Sequence, residues 1–274
     1  MHPCCIRLHR AVTDISPLLS DIAIVHRDTE LCMAMTHFLT GKIALVAGGT
    51  GDTGMGIVQS LLQEDATVIV PAKSARDIAR LKEHVPGARQ GRLVTLLADY
   101  PDYDKAFDIA ENIVSAFGQI DLAVAALESP AASPCLTELE IADWQKMADE
   151  NITAGFVMGR VILQLMKKNR CGMYISMSNT GDFEKRSTSA LANIAATLQV
   201  EMARIFFEGI REYGIRYHHL FTGNGAGSGR RTGDFIVQLY CGRAGDAAQL
   251  FQWPSGGPLN SSPETMPVLP ANKQ

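Results

Sequence analysis

Apolar positions along this chain gather into short unbroken runs separated by longer stretches of helical period, starting at residue 43. Ile43 to Ala47 (IALVA) is a strand-like run that enters glycines and emerges in a helix-like segment, Ile57 to Leu62. A second β-rich run, Ala66 to Val70, completes a βαβ unit. Leu93 to Ala98 (LVTLLA) predicts a buried strand ending at Asp99, and Ile120 to Ala126 predicts another. Between them Tyr103 to Phe117 places Ile109, Ile113 and Phe117 at helical spacing. Thr137-Glu-Leu-Glu140 reads as a capping box before a long helix with Trp144, Met147, Ile152, Phe156 and Val161. Met173 to Met177 predicts a strand, and Ser189 to Phe207 a helix with Leu191, Ile194, Leu198, Met202 and Ile205 on one stripe. Ile215 to Phe221 then reads as a strand, Gly233 to Tyr240 as a helix and Leu250 to Trp253 as a last short strand. The methionine and aromatic positions on these elements read as core.

The alternation predicts an α/β domain over residues 41–257, a parallel sheet with helices on both faces. Residues 1–40 lack a clear period and read as an N-terminal extension on which no chemistry is placed. Residues 258–274, rich in Pro, Ser and Asn, read as a flexible tail. With 274 residues, 46% of them hydrophobic, the chain suits one large soluble domain. Its formal charge of −4 is dispersed, with no Lys/Arg block and no interleaved aromatic and basic residues, which argues against a nucleic-acid partner. No apolar run reaches bilayer length, and charges break up the apolar stretches of the first residues, so a cytoplasmic protein is expected. The six cysteines show no CxxC pair and are expected to be reduced thiols. Cys4, Cys5 and His9 lack a fourth ligand at sensible spacing, so no metal site is assigned.

The chemistry begins in the glycine segment. Gly48, Gly51 and Gly54 permit a tight turn and close backbone approach to a pyrophosphate, while the following helix offers N–H groups and a positive dipole end. Strand before, helix after and a second strand beyond form the context of a dinucleotide site. Thr50, Asp52, Thr53 and Met55 lie among those glycines and join them as cofactor-binding candidates. An acidic residue near the end of the second strand would accept hydrogen bonds from an adenosine 2′-hydroxyl, whereas a cation favours a 2′-phosphate. Here the sequence is Val70-Pro-Ala-Lys73-Ser74, with no carboxylate before Asp77. NADP(H) is therefore expected over NAD(H), with a modest preference because Lys is a point charge without a bidentate fork.

Over roughly Gly41 to Gly257 the chain resembles the short-chain dehydrogenase/reductase family. The likeness rests on Asp99 at the end of the third strand, Phe117-Gly-Gln-Ile-Asp121, Asp143-Trp144 with Asn151, the strand from Gly172, and Gly214-Ile-Arg216 through Thr222-Gly223, where Thr replaces the usual Pro. The resemblance implies a Rossmann-type doubly wound parallel sheet flanked by helices in three α/β/α layers. It implies further dinucleotide contacts at Asp99, Tyr100, Ala125, Ala126, Thr222 and Gly223. Lys73, with Ser74 beside it, falls where NADP-preferring members often place Arg. A homodimer or homotetramer is also implied, with Ala190, Ala195 and Ala196 permitting close approach of helices.

The family reduces carbonyls with a Tyr-x-x-x-Lys pair and an orienting Ser. Aligning through Ala203-Arg204 and Gly214-Ile-Arg216 puts Thr188 at the tyrosine position and Ala192 at the lysine position. A threonine hydroxyl is too weak an acid to be tuned toward neutrality, and Ala192 offers no cation to tune it. The serine position falls on Ser178 or Asn179, and either side chain can donate to a carbonyl. Asn151, Ser178, Asn179 and Thr188 are thus the catalytic candidates. Between Gly223 and Gly233 the family's substrate-covering segment is reduced to NGAGSGRRT, which predicts an open cleft with Arg230 and Arg231 at its rim, available to an anionic substrate.

Two readings follow. One is an NADP(H)-linked oxidoreductase with a non-standard active site, drawing its proton from water, Glu184, Lys185 or His219. The other is a non-catalytic relative that holds the dinucleotide as a structural or sensing ligand, or binds a partner through its helices. Losing a general acid costs only about 10²–10⁴ in rate, which keeps hydride transfer possible. The retained cofactor residues favour the first reading, and the substrate is not readable from the sequence.

Overall fold

The computed structural model describes residues 37–85, 92–98, 102–127, 133–179, 189–222, 228–242, 249–252 and 264–266. Along the chain run β1 (Ile43–Ala47), α1 (Asp52–Gln63), β2 (Thr67–Ala72), α2 (Ala75–His84), β3 (Leu93–Leu97), α3 (Tyr103–Phe117), β4 (Leu122–Ala125), α4 (Ile141–Met147), α5 (Ala154–Asn169), β5 (Met173–Asn179), α6 (Ala190–Ile210), β6 (Arg216–Thr222), α7 (Ser228–Tyr240), β7 (Gln249–Gln252) and β8 (Glu264–Met266). The sheet order is β3-β2-β1-β4-β5-β6-β7-β8. All neighbours are parallel except β7 and β8, so the doubly wound three-layer arrangement expected from the sequence is present.

Side-chain alternation along the strands sends successive residues to opposite faces, so a strand covered on both sides is apolar throughout. On one face Ala44, Val46, Val68, Val70, Val124, Ile175 and Leu220 pack with Ile57, Val58 and Leu61 of α1 and Ile236 and Leu239 of α7. On the other, Leu45, Ile69, Ala123, Tyr174 and Tyr217 pack with Ala106, Ala110 and Ile113 of α3 and Val157, Val161 and Ile162 of α5.

Several elements depart from the sequence reading. Helix α1 starts at Asp52, five residues before the apolar run that signalled it, because its first turn is built of small and polar residues. The capping box at Thr137 to Glu140 is not formed. Leu136–Glu138 is a 3₁₀ turn, Thr137 Oγ1 donates to Cys135 Sγ at 3.5 Å, and the N-cap Glu140 makes no side-chain cap. The long helix that follows is broken by a π-helical turn over Ala148–Thr153. Helix α2, not anticipated, starts where Ser74 Oγ accepts from Asp77 N at 3.1 Å. Strand β8 lies within the segment expected as a tail and pairs antiparallel with β7.

Helix α6 buries only part of the expected stripe, Leu191 fully and Ile194 partly. Ala195, Ala196, Gln199 and Ala203 face inward, while Leu198 is 44% and Ile205 59% exposed. Thr197, Glu201, Arg204 and Glu208 mark one exposed polar side, but the apolar positions spread wider than one buried stripe, so periodicity alone could not choose among them; close packing on the sheet selects the small residues. With the turn after it, the segment Ala190–Tyr213 is also long and apolar enough, by length and composition, to cross a membrane, which the sequence reading did not expect.

Candidate functional site

The strand order reverses between β1 and β4, and the carboxyl ends of these strands mark the crevice where ligands bind in open α/β sheets. The glycine turn sits there. Gly48 has φ +73°, and a Cβ on it would lie 2.1 Å from the Ala126 carbonyl oxygen, so only glycine lets the turn approach the end of β4. A Cβ on Gly54 would lie 2.1 Å from the Gly48 oxygen. Gly51 N donates to that same oxygen at 3.0 Å. Gly51 is the extended N-cap of α1, and no side chain caps it, the arrangement that leaves first-turn N–H groups to an anion. These residues fit a dinucleotide pyrophosphate. Ala125 and Ala126 are buried beside the turn, Asp52 is exposed and Thr53 half-buried, whereas the Met55 side chain belongs to the core.

At the adenosine end Lys73 is exposed and forms an ion pair with Glu150 of the π turn, Nζ to Oε1 3.3 Å. Ser74 is spent on capping α2. Sequence reasoning missed Arg80 of α2, whose guanidinium donates to the Thr50 carbonyl and so adds a second cation to this edge. The local signal was present, since Arg76 and Arg80 stand four apart just after the Ser74 cap. Thr50 thus contributes a backbone acceptor. Asp99, Tyr100, Gly223 and Thr188, together with Glu184 and Lys185, lie outside the described residues.

Asn151 is buried in the π turn, and its Nδ2 donates to the Met147 carbonyl at 3.1 Å. A π turn leaves the backbone ladder locally open, and here the amide occupies that opening. Ala192 lies in the first turn of α6, where its N–H donates to the capping Ser189 Oγ at 3.2 Å. Ser178 and Asn179 end β5, Asn179 in register with Thr222. Thr222 Oγ1 donates to the Ser178 carbonyl at 3.4 Å.

Beneath Ser178 runs a polar chain on the sheet face covered by α5 and α6. Ser178 Oγ lies 3.0 Å from His219 Nε2, Ser176 Oγ lies 2.8 Å from His219 Nδ1, and the Tyr217 hydroxyl donates to Ser176 Oγ at 3.0 Å. Burial pushes the His219 pKa down to about 3 and the Tyr217 phenol well above its ordinary value. Both groups are therefore neutral at pH 7. Beside Ser176 and Tyr217 lies a cavity of about 20 Å³, also lined by Tyr174, Gln199, Met202 and Phe206. His219 was foreseen only as one of several proton sources. The Ser-x-Ser of β5 and Tyr-x-His of β6 were the available signal, since each pair shares a strand face.

Arg230 and Arg231 do not stand on a loop at the rim. They belong to the first turns of α7, which crosses α1 at Gly56 and Gly229, where a Cβ on Gly56 would meet the Gly229 carbonyl carbon at 2.4 Å. Arg230 Nε pairs with Asp234 at 3.1 Å, and its guanidinium also reaches Gln63. The glycine pair draws the helix onto α1, and that contact ties Arg230 to Gln63 of α1 and to Asp234.

A family model described as short chain dehydrogenase matches residues 42–192. An uncharacterized oxidoreductase of Staphylococcus saprophyticus is 24% identical over 174 residues, 61% of this chain and 74% of that protein. A metagenomic short-chain oxidoreductase in complex with NADP superposes with a TM-score of 0.69 at 18% identity, over 78% of this chain and 98% of that one. An NAD⁺-bound xylitol dehydrogenase gives a TM-score of 0.63 at 15% identity, over 73% and 75%.

Proposed function

The chain belongs to the short-chain dehydrogenase family, and we propose that it is an NADP(H)-binding oxidoreductase of that family with a non-standard active site. The observation that carries this reading is the glycine turn, closed so tightly by Gly48 and Gly54 that its backbone and the uncapped start of α1 form an anion cradle at the sheet's switch point. Structural relatives hold NADP in one case and NAD⁺ in another, so the phosphate preference rests on Lys73, released from Glu150, with Arg80 nearby. When bound, the nicotinamide supplies or accepts a hydride. Ala125, Ala126 and Thr222, buried at the strand ends, would line its site. Ser178 donates to the substrate carbonyl and orients it, and Asn151 stiffens the π turn opposite. On the sequence alignment through Ala203-Arg204, Thr188 and Ala192 take the positions of the family's acid and its tuning cation, and neither side chain can replace them.

One observation favours the second reading, a non-catalytic dinucleotide-binding or sensing relative. His219 and Tyr217, the titratable side chains in the chain beneath Ser178, are both shifted away from neutrality by burial. We also read the chain as a cytoplasmic homodimer or homotetramer acting on a small molecule, without membrane or nucleic acid. Exposed Phe156, Leu198 and Ile205 on α5 and α6 support the pairing, while Ala195 and Ala196 are turned into the fold and do not take part.

The test is NADPH oxidation with a panel of ketones and aldehydes in the native protein and in Asn151→Ala, Ser178→Ala, Asn179→Ala and Thr188→Ala. Slow native turnover should fall further in Ser178→Ala than in Thr188→Ala. Rapid turnover that collapses only in Thr188→Ala contradicts the reading of the site, and NADPH binding with no turnover of any carbonyl selects the sensing role.

A further inference from the structure

Ser176 and His219 are direct partners in the β5–β6 register, and Tyr217 and Ser178 stand diagonally on the same sheet face. A single imidazole therefore spans two serine hydroxyls, Nδ1 to Ser176 at 2.8 Å and Nε2 to Ser178 at 3.0 Å. Each hydroxyl has one proton to give, and a neutral imidazole has one N–H. Burial keeps His219 neutral at pH 7. With four protons for three bonds, three arrangements satisfy the chain, and each leaves one O–H unspent.

In the first, Tyr217 donates to Ser176, Ser176 donates to the bare Nδ1, and the Nε2–H donates to Ser178. The Ser178 proton is then left for a ligand at the carboxyl edge of the sheet. In the second every bond reverses, and Ser178 spends its proton on Nε2. That order leaves the Tyr217 proton facing the small cavity, lined there by Tyr174, Met177, Gln199, Met202 and Phe206, with the hydroxyl bonded to Ser176 alone. In the third, Ser176 accepts from both Tyr217 and Nδ1–H, and the unspent proton is its own, on the wall of the same cavity. Only the first order places the unspent proton on Ser178, at the carboxyl end of β5 where a bound ligand can accept it, in keeping with the Tyr217 bond to Ser176.

We infer that Tyr217, Ser176 and His219 form a one-way donor chain that fixes the Ser178 hydroxyl as a hydrogen-bond donor, with His219 as the positioning residue. The polarity has a chemical consequence. A Ser178 that donates suits a carbonyl oxygen, whereas one that donates to His219 would present only lone pairs and suit a hydroxyl or an amide N–H. Tyr217, buried behind Ser176 and His219, thereby selects the class of ligand group. The inference rests on reading Ser178 as the carbonyl-orienting residue, but its test does not depend on turnover.

The experiment is ¹⁵N NMR of histidine-labelled protein, with the His219 ring signals assigned by their loss in His219→Gln. The native protein should show the Nε2–H tautomer, neutral from neutral pH to about pH 5 given how far burial depresses the ring. Tyr217→Phe removes the head of the chain and should shift His219 toward the Nδ1–H form, with kcat falling more than KM rises if a carbonyl substrate is in hand. A native Nδ1–H tautomer, an imidazolium in that range, or an unchanged tautomer in Tyr217→Phe overturns the inference. An Nε2–H tautomer that shifts as described, in a protein that turns over no carbonyl, would sink the proposed oxidoreductase activity and leave the chain intact.

Discussion

Replacing Gly54 by Ala tests whether the turn is built as tightly as its geometry requires. The new Cβ would stand 2.1 Å from the Gly48 oxygen, 2.7 Å from the Gly49 Cα and 2.8 Å from the Gly48 carbonyl carbon. Ordinary contact begins at 3.4 Å, so 1.3 Å must be made up, and all three neighbours are backbone with no side chain to swing aside. The turn has to open. Overpacking of this kind costs about 1–3 kcal/mol, and a backbone clash belongs at the upper end. For a domain of this size that is a fall in Tm of about 5–10 °C. Because the opened turn is the anion cradle itself, NADPH affinity should drop at least about tenfold, or ~1.4 kcal/mol. Gly209→Ala is the control, since its Cβ meets nothing within 4 Å in α6, and it should gain about 0.5–1 kcal/mol from helix propensity. Thermal denaturation and calorimetric titration read both quantities. A Gly54→Ala protein with native Tm and native NADPH affinity, beside a Gly209→Ala that behaves as expected, would refute the reasoning.

His219 gives a pH dependence of definite sign. Its folded pKa is about 3 against an ordinary 6.5, so as pH falls below 6.5 the unfolded chain takes up a proton that the fold refuses. Stability should then decline by about 1.4 kcal/mol per pH unit from this group alone, with no contribution above 6.5. Urea midpoints near neutrality and at about pH 5 should therefore differ more in the native protein than in His219→Gln, and equal differences contradict the neutral buried ring. Light scattering at micromolar concentration should give a dimer or tetramer mass, and Ile205→Glu, placed on the exposed side of α6, should shift it toward the monomer; a native monomer removes the pairing surface.

The strands β1 to β6 fall within two residues of the apolar runs that signalled them, because a parallel strand covered on both faces needs a continuous run and leaves little choice of boundary. Helix α3 matches to the residue, its end fixed by Gly118 at φ +86°. The glycine site was legible for the same local reason, since turn, cap and helix are consecutive. What the sequence hid depends on distance or on competition between faces. Lys73 and Glu150 lie 77 positions apart, and Ser176 and His219 lie 43 apart, so only the sheet register and helix docking unite them. Helix α6 offers more apolar positions than one buried stripe can use, and Arg230 looked loop-borne until Gly56 and Gly229 let α7 settle on α1. The π turn at Asn151 carries no pattern that distinguishes it from the helix on either side.

Calorimetric titration of the native protein with NADPH and with NADH decides whether the crevice prefers a phosphorylated nicotinamide dinucleotide. One exposed lysine that must leave Glu150, helped by Arg80, supports a preference of about tenfold, or ~1.4 kcal/mol. NADPH should therefore bind more tightly by about that factor, and Lys73→Glu should erase the difference. Equal affinities for the two dinucleotides, or no binding of either, would contradict the account.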